Sequence, residues 1–140
     1  MRAYILDSEN DVFGRLNELP YSGIYINVGL ESPHQTTLDL LGKPQSSHDV
    51  QKAFEKLQRV SRDNEKINVS CNFVVADDLP PEHVQNVCEM LANPGAHPDK
   101  CAAYISPLTG RCTRRRTLDN LYKIKRSARI PVYLYLVQQI

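Results

Sequence analysis

The stretch Ile24-Tyr25-Ile26-Asn27-Val28-Gly29-Leu30-Glu31-Ser32, followed by Thr37-Leu38-Asp39-Leu40-Leu41-Gly42-Lys43-Pro44, decides how this chain reads. The first part is a β-branched apolar run that stops at a glycine and presents a carboxylate. The second is a short helical segment carrying Leu38, Leu40 and Leu41. Gly42 closes it as a C-terminal cap, and Pro44 keeps the next residues from continuing the helix. In an α/β protein a strand of this kind ends where ligands bind, beyond the carboxyl ends of parallel strands. Glu31 and Lys43 are therefore the first candidate site residues.

Working outward, residues 2–7 read as a strand. Ser8-Glu9-Asn10-Asp11 reads as a helix cap, and Val12, Phe13, Leu16 and Leu19 follow at helical spacing up to Pro20. Downstream, Ser46-Ser47-His48-Asp49 opens a longer helix whose apolar stripe is Val50, Ala53, Phe54, Leu57 and Val60. Residues 67–75 are apolar at nearly every position toward their far end, as in a strand covered on both faces. Pro81 suits the first turn of a further helix, with Val84, Val87, Cys88 and Leu91 on its buried side. Residues 101–105 read as a short strand. A basic helix follows, with Leu118, Leu121 and Tyr122 turned inward, and residues 130–137 form the last strand. The order β-α-β-α-α-β-α-β-α-β predicts an α/β fold with a parallel sheet of about five strands and crossover helices. A complete eight-stranded barrel needs about 250 residues. The chain is thus either a small open α/β domain or part of a larger barrel.

At 140 residues the chain fits one domain, and 41% hydrophobic with 24% charged residues is ordinary for a globular protein. No apolar run approaches the ~20 residues of a membrane span, and the apolar part of the N-terminus is too short for a signal peptide. The expected location is cytoplasmic, with no membrane partner. Cys71, Cys88, Cys101 and Cys112 show no C-x-x-C spacing and read as reduced thiols. Asp77 and Asp78 read as a solvated pair rather than a metal site, and His34, His48, His83 and His97 as surface residues. The net charge of +1 hides an asymmetry: residues 101–140 carry eight Lys and Arg against Asp119 alone, the first hundred nine against fifteen acids. A basic C-terminal part suits an anionic substrate, nucleic acid or a solvated helix face.

The stretch Val28-Gly29-Leu30-Glu31-Ser32, the loop Leu41-Gly42-Lys43-Pro44, the strand Val69-Ser70-Cys71-Asn72-Phe73-Val74 and the loop Leu79-Pro80 together resemble the second half of the radical SAM enzymes. The branch they look most like contains oxygen-independent coproporphyrinogen oxidase and related Fe-S oxidoreductases. The similarity covers roughly residues 1–92. It implies a partial, TIM-like barrel around S-adenosylmethionine. By position, Glu31 matches the polar residue that hydrogen-bonds the ribose of S-adenosylmethionine, and Lys43 the basic residue that pairs with its carboxylate. Asn72 matches another polar strand-end ligand, and Asp7 a ribose-binding acid of the preceding strand. The family also needs C-x-x-x-C-x-x-C to hold a [4Fe-4S] cluster, and no cysteines here have that spacing. The resemblance therefore implies a C-terminal segment that contributes to an S-adenosylmethionine site and is inactive alone. In the intact enzyme the cluster, with ligands outside this chain, would reduce S-adenosylmethionine for hydrogen abstraction from an unidentified substrate.

A half barrel would leave apolar faces and strand edges uncovered, so self-association is expected. The alternative class is a small non-catalytic α/β module that binds nucleic acid or an acidic partner through its basic C-terminal face.

Overall fold

Alternation of apolar and polar residues from Ile24 onward produces a two-faced strand, β1 (Ile24–Glu31), with Val28 and Leu30 buried and Tyr25, Asn27 and Gly29 exposed. The computed structural model describes residues 5–6, 11–94 and 100–135 of the protein. Within them β1 is preceded by α1 (Val12–Asn17) and followed by α2 (Gln35–Leu40), α3 (Ser47–Asp63), β2 (Ile67–Val75), α4 (Pro81–Ala92), β3 (Cys101–Pro107), α5 (Arg114–Ser127) and β4 (Val132–Leu134). The strands form one parallel sheet in the order β1-β2-β3-β4.

Register separates the two faces. On one, Val28 lies opposite Cys71, Cys71 opposite Ala103, and Ala103 opposite Val132. These residues share a single core with Phe13 of α1, Leu38 of α2, Val50, Phe54 and Leu57 of α3, Val87 and Leu91 of α4, and Leu121 and Ile124 of α5. The helices therefore cover this face. On the other, Asn27 lies opposite Ser70, Gly29 opposite Asn72, Asn72 opposite Tyr104, and Tyr104 opposite Tyr133. Among the described residues no helix covers that second face.

Several expectations need correction. The sheet has four strands among the described residues, not five. Of the strand expected over 2–7 only Ile5 and Leu6 are described, neither in a strand, and Asp7 lies outside the described residues. The last strand is Val132–Leu134 rather than 130–137. β2 is not sealed on both faces: Asn68 is exposed and Asn72 half-buried. In α4 the buried side is His83, Val87, Met90 and Leu91, leaving Val84 and Cys88 half-buried. In α5 Thr117, Leu121 and Ile124 face inward, while Tyr122 is 55% exposed. Val87, Leu91 and Leu121 are buried as expected, and only the flanking positions differ, because packing against the sheet decides between neighbouring residues.

The long helix follows the reading closely. Ser46 is its N-cap: the Ser46 hydroxyl accepts from the Asp49 N–H at 3.1 Å and the Ser46 N–H donates to Asp49 Oδ2 at 3.3 Å, a reciprocal capping box. At its other end Lys100 Nζ donates to the Ser61 and Asn64 carbonyls at 2.5 and 2.7 Å, placing a cation on the negative end of the dipole. Ser46→Ala is expected to lower stability by about 1 kcal/mol and the thermal midpoint by roughly 3 °C, read by circular dichroism. Among the described residues no helix is long and apolar enough to cross a membrane.

A candidate ligand site at the ends of β1 and β2

The carboxyl end of β1 is bent by its own sequence. Gly29 pairs with Asn72 but Glu31 pairs with Phe73, so two residues of β1 face one of β2. A bulge of this kind re-aims a side chain and ends the pairing. Glu31 has φ +70°, the only non-glycine at positive φ among the described residues. The Ser32 N–H donates to the Leu30 carbonyl at 2.8 Å, closing a three-residue turn of the rare, strained kind around Glu31. Strain of this sort costs on the order of 1–3 kcal/mol and persists where the surroundings over-determine it.

The surroundings here are specific. Leu30 and Ser32, on either side of Glu31, are fully buried. Gln45 Nε2 also donates to the Leu30 carbonyl at 3.2 Å, tying the next loop to the turn. Ser32 Oγ lies 2.7 Å from Nδ1 of His83, and Nε2 of His83 lies 2.5 Å from the Val74 carbonyl. A carbonyl only accepts, so Nε2 carries the proton and Nδ1 accepts from the Ser32 hydroxyl. Ser32 Oγ accepts in turn from the His34 N–H at 3.0 Å. This chain pins the end of β1 to α4 and β2. His83 is 1% exposed, and burial, opposed by its bond to the Val74 carbonyl, holds its pKa below the ordinary histidine value. The expectation that His83 is a surface residue is thus overturned. His34 is half-buried, with Nδ1 2.9 Å from Thr37 Oγ1; His48 is exposed, and His97 lies outside the described residues.

The turn throws the Glu31 carboxylate back over Gly29. A β-carbon at Gly29 would sit 2.9 Å from Glu31 Oε1, so the glycine leaves the space the carboxylate occupies. Lys43 Nζ reaches Oε1 at 3.7 Å. Its position follows from Gly42, which turns the chain at φ +66° after α2, with the Lys43 N–H donating to the Leu38 carbonyl at 3.0 Å. Asn72, opposite Gly29, stands on the same uncovered face. The structure therefore brings Glu31, Lys43 and Asn72 together at one end of the sheet.

Sequence reasoning missed the rest of that face. Asn27 Nδ2 donates to Ser70 Oγ at 2.7 Å and to Asn72 Oδ1 at 3.2 Å, and the Tyr25 hydroxyl donates to Ser70 Oγ at 2.7 Å. Tyr104 packs against Tyr133 and Tyr135, with ring centroids 5.6 and 6.3 Å apart. Tyr25, Tyr133 and Tyr135 are each at least half exposed. The hydrogen bond with Tyr25, more than burial, pushes the Tyr104 phenol further above its ordinary pKa. The signal was the period-two run Tyr25-x-Asn27-x-Gly29-x-Glu31 against Asn68-x-Ser70-x-Asn72, which marks a polar face through the middle of a parallel sheet.

Other candidate groups are occupied elsewhere. Arg111 Nε and an Arg111 terminal nitrogen bind the Asp78 carboxylate at 2.9–3.2 Å, which draws that exposed acid's pKa down. Asp77 Oδ2 accepts from the Thr113 N–H at 2.9 Å ahead of α5. These two acids therefore join the loops after β2 and β3. Cys71 and Cys101 are buried in the core; the hydrogen bond to the Cys101 thiol, then burial, push the Cys71 thiol well up, away from reactivity. No protein-family model matches this chain, and no curated protein matches it.

Proposed function

We propose that this chain forms the C-terminal arc of a radical SAM Fe-S oxidoreductase barrel and supplies part of its S-adenosylmethionine site. The observation that carries the reading is Glu31: a strained, bulged strand end that places a carboxylate on the uncovered face beside Lys43 and Asn72. Sheet order supports it, since four parallel strands in chain order with helices on one side make an arc of a barrel wall. The uncovered face supports it too. A sheet face meant to receive helices is aliphatic, whereas this one carries tyrosine, asparagine and serine.

The residues fit the ligand's chemistry. The two Glu31 oxygens accept from the vicinal hydroxyls of a ribose, and the Asn27 and Asn72 amides offer further polar contacts beside it. Lys43 pairs with a carboxylate of the ligand. In the free protein Lys43 rests against Glu31, both partly exposed. Such pairs are worth about 0–1 kcal/mol, so a ligand carboxylate can take the lysine over at little cost. When bound beside a reduced cluster, S-adenosylmethionine would supply a carbon radical; the residues here bind and orient it. Among the described residues no three His, Cys, Asp or Glu side chains group to hold a metal ion. As the resemblance implies, the [4Fe-4S] ligands would lie outside these 140 residues, which carry no C-x-x-x-C-x-x-C.

Isothermal titration of S-adenosylhomocysteine at two salt concentrations tests this. Weak binding that changes little with salt and falls at least tenfold in Lys43→Met is expected. Absence of heat at millimolar ligand, in this chain and in a longer one carrying the C-x-x-x-C-x-x-C segment, would reject the assignment.

A further inference from the structure

On the helical side of the molecule, away from the uncovered sheet face, α4 and α5 enclose a groove of about 760 Å³. This is within the size range of specific ligand sites. Its two walls differ in kind. The α4 wall presents Val84 and Cys88 with Gln85 beside them, and Leu79 and Pro80 of the preceding loop and Pro81 of the first turn close one end. Val84 and Cys88 are the half-buried positions left when α4 turned His83 and Met90 inward. The α5 wall carries Arg116, Lys123 and Arg126, all exposed.

The cations are largely unanswered. Within the described residues none of the three sits in an ion pair. Arg116 uses one nitrogen on the Asp77 carbonyl at 3.0 Å, and the Asp77 carboxylate already accepts from Thr113. Two acids, Asp77 at one end and Asp119, offset the three cations only in part along the groove. Arg116, Asp119, Lys123 and Arg126 recur at helical spacing, so the positive charge runs along the groove rather than at one point.

We infer that this groove docks an acidic amphipathic helix of a partner protein, its apolar side on Leu79, Val84 and Cys88 and its carboxylates on Arg116, Lys123 and Arg126. Helix-in-groove recognition seats apolar anchors against an apolar wall, and complementary charge beside it sets orientation and specificity. Single-stranded nucleic acid fits less well, because the one aromatic ring in the groove's lining, His83, is buried and offers no face on which a base could stack. The exposed Arg114 and Arg115, which a polyanion would also use, do not line it. The inference stands apart from the S-adenosylmethionine reading, since it shares no residue with Glu31, Lys43 or Asn72.

The test is a synthetic helix-forming peptide matched to the 14 residues of α5, with leucines along one face and glutamates flanking them. It is titrated into isotope-labelled protein and followed by NMR. Shifts centred on Val84, Cys88, Lys123 and Arg126, and at least tenfold weaker binding to K123E/R126E, are expected. Both substitutions are on exposed positions, and an unchanged circular dichroism spectrum shows that the variant folds. A control peptide with serine for leucine should bind at least fivefold more weakly. No shift at millimolar peptide, equal binding of the serine control, or tighter binding of an oligonucleotide at the same residues overturns the inference. Glu31→Gln should leave the peptide affinity unchanged whether or not S-adenosylhomocysteine binds.

Discussion

Glu31→Gly should raise the thermal midpoint while weakening the proposed ligand site. Glycine reaches positive φ without the β-carbon clash that Glu31 tolerates at +70°. The relief, of order 1–3 kcal/mol, is offset by about 0.5–1 kcal/mol for the extra freedom glycine gives the unfolded chain. Loss of the partly exposed pair with Lys43 removes at most about 1 kcal/mol more. The balance is a gain near 1 kcal/mol, or roughly 3 °C. Glu31→Ala is the informative partner: it also lacks the carboxylate but keeps a β-carbon, so the difference between the two variants reports the backbone alone. Both should weaken S-adenosylhomocysteine binding at least tenfold, the loss expected when a charge-assisted hydrogen bond worth about 1.5–3 kcal/mol is removed. If alanine and glycine variants melt together, the strain is no larger than the roughly 0.5–1 kcal/mol that glycine's freedom in the unfolded chain costs. If either binds as the parent does, Glu31 does not hold the ligand.

His83→Leu should be among the most damaging single changes, at about 2–4 kcal/mol. Leucine fills much of the same space, but the Val74 carbonyl loses the ring N–H and the Ser32 hydroxyl loses its short bond to Nδ1, keeping only the His34 backbone; a buried polar group left unsatisfied costs about 1–3 kcal/mol. The wild-type histidine also gives a pH signature. Its folded pKa is below the ordinary value and its unfolded pKa is near 6.5. Between the two, the unfolded chain binds more protons than the folded one, so stability falls as pH drops below about 6.5 and is flat in this respect above it. Protonating Nδ1 would also turn the Ser32 hydroxyl from donor to acceptor and leave its proton only the His34 carbonyl at 3.5 Å. Urea unfolding at pH 5 and pH 7.5 should therefore show a difference in the parent that shrinks in His83→Leu. An equal difference in both would place the acid sensitivity elsewhere.

Much of the frame was legible because local signals agreed with the packing. The Ser46–Asp49 box, the stripe Val50, Ala53, Phe54, Leu57 and Val60, Pro81 at a helix start, and Gly42 at positive φ each depend on a few neighbouring residues. The edges of the buried faces of α4 and α5 did not follow from sequence, because Val84 and His83, or Tyr122 and Leu121, are neighbours whose choice depends on the sheet beneath. Glu31, Lys43 and Asn72 were found as candidates, and the structure brings them to one place. What sequence could not give is the reason Glu31 points there. That reason is Ser32, His83 and Val74, residues far apart in the chain and without any motif. The uncovered face was missed because β1 and β2 were read as continuous apolar runs, when their polar residues fall on every second position.

The strand order has a consequence for how such a sheet can be extended. Since β1 to β4 lie side by side in chain order, each strand-helix unit needs only the unit before it as a template, and no later segment must thread between earlier ones. Within the described residues, β1 and β4 each present one row of backbone donors and acceptors without a strand beside it. An added unit of the same polarity continues the hydrogen-bond ladder at either row and lengthens both the helical coat and the tyrosine-lined face. Growth of this kind leaves the turn at Glu31 untouched, because its anchors all lie on β1, β2, α4 and the loops beside them.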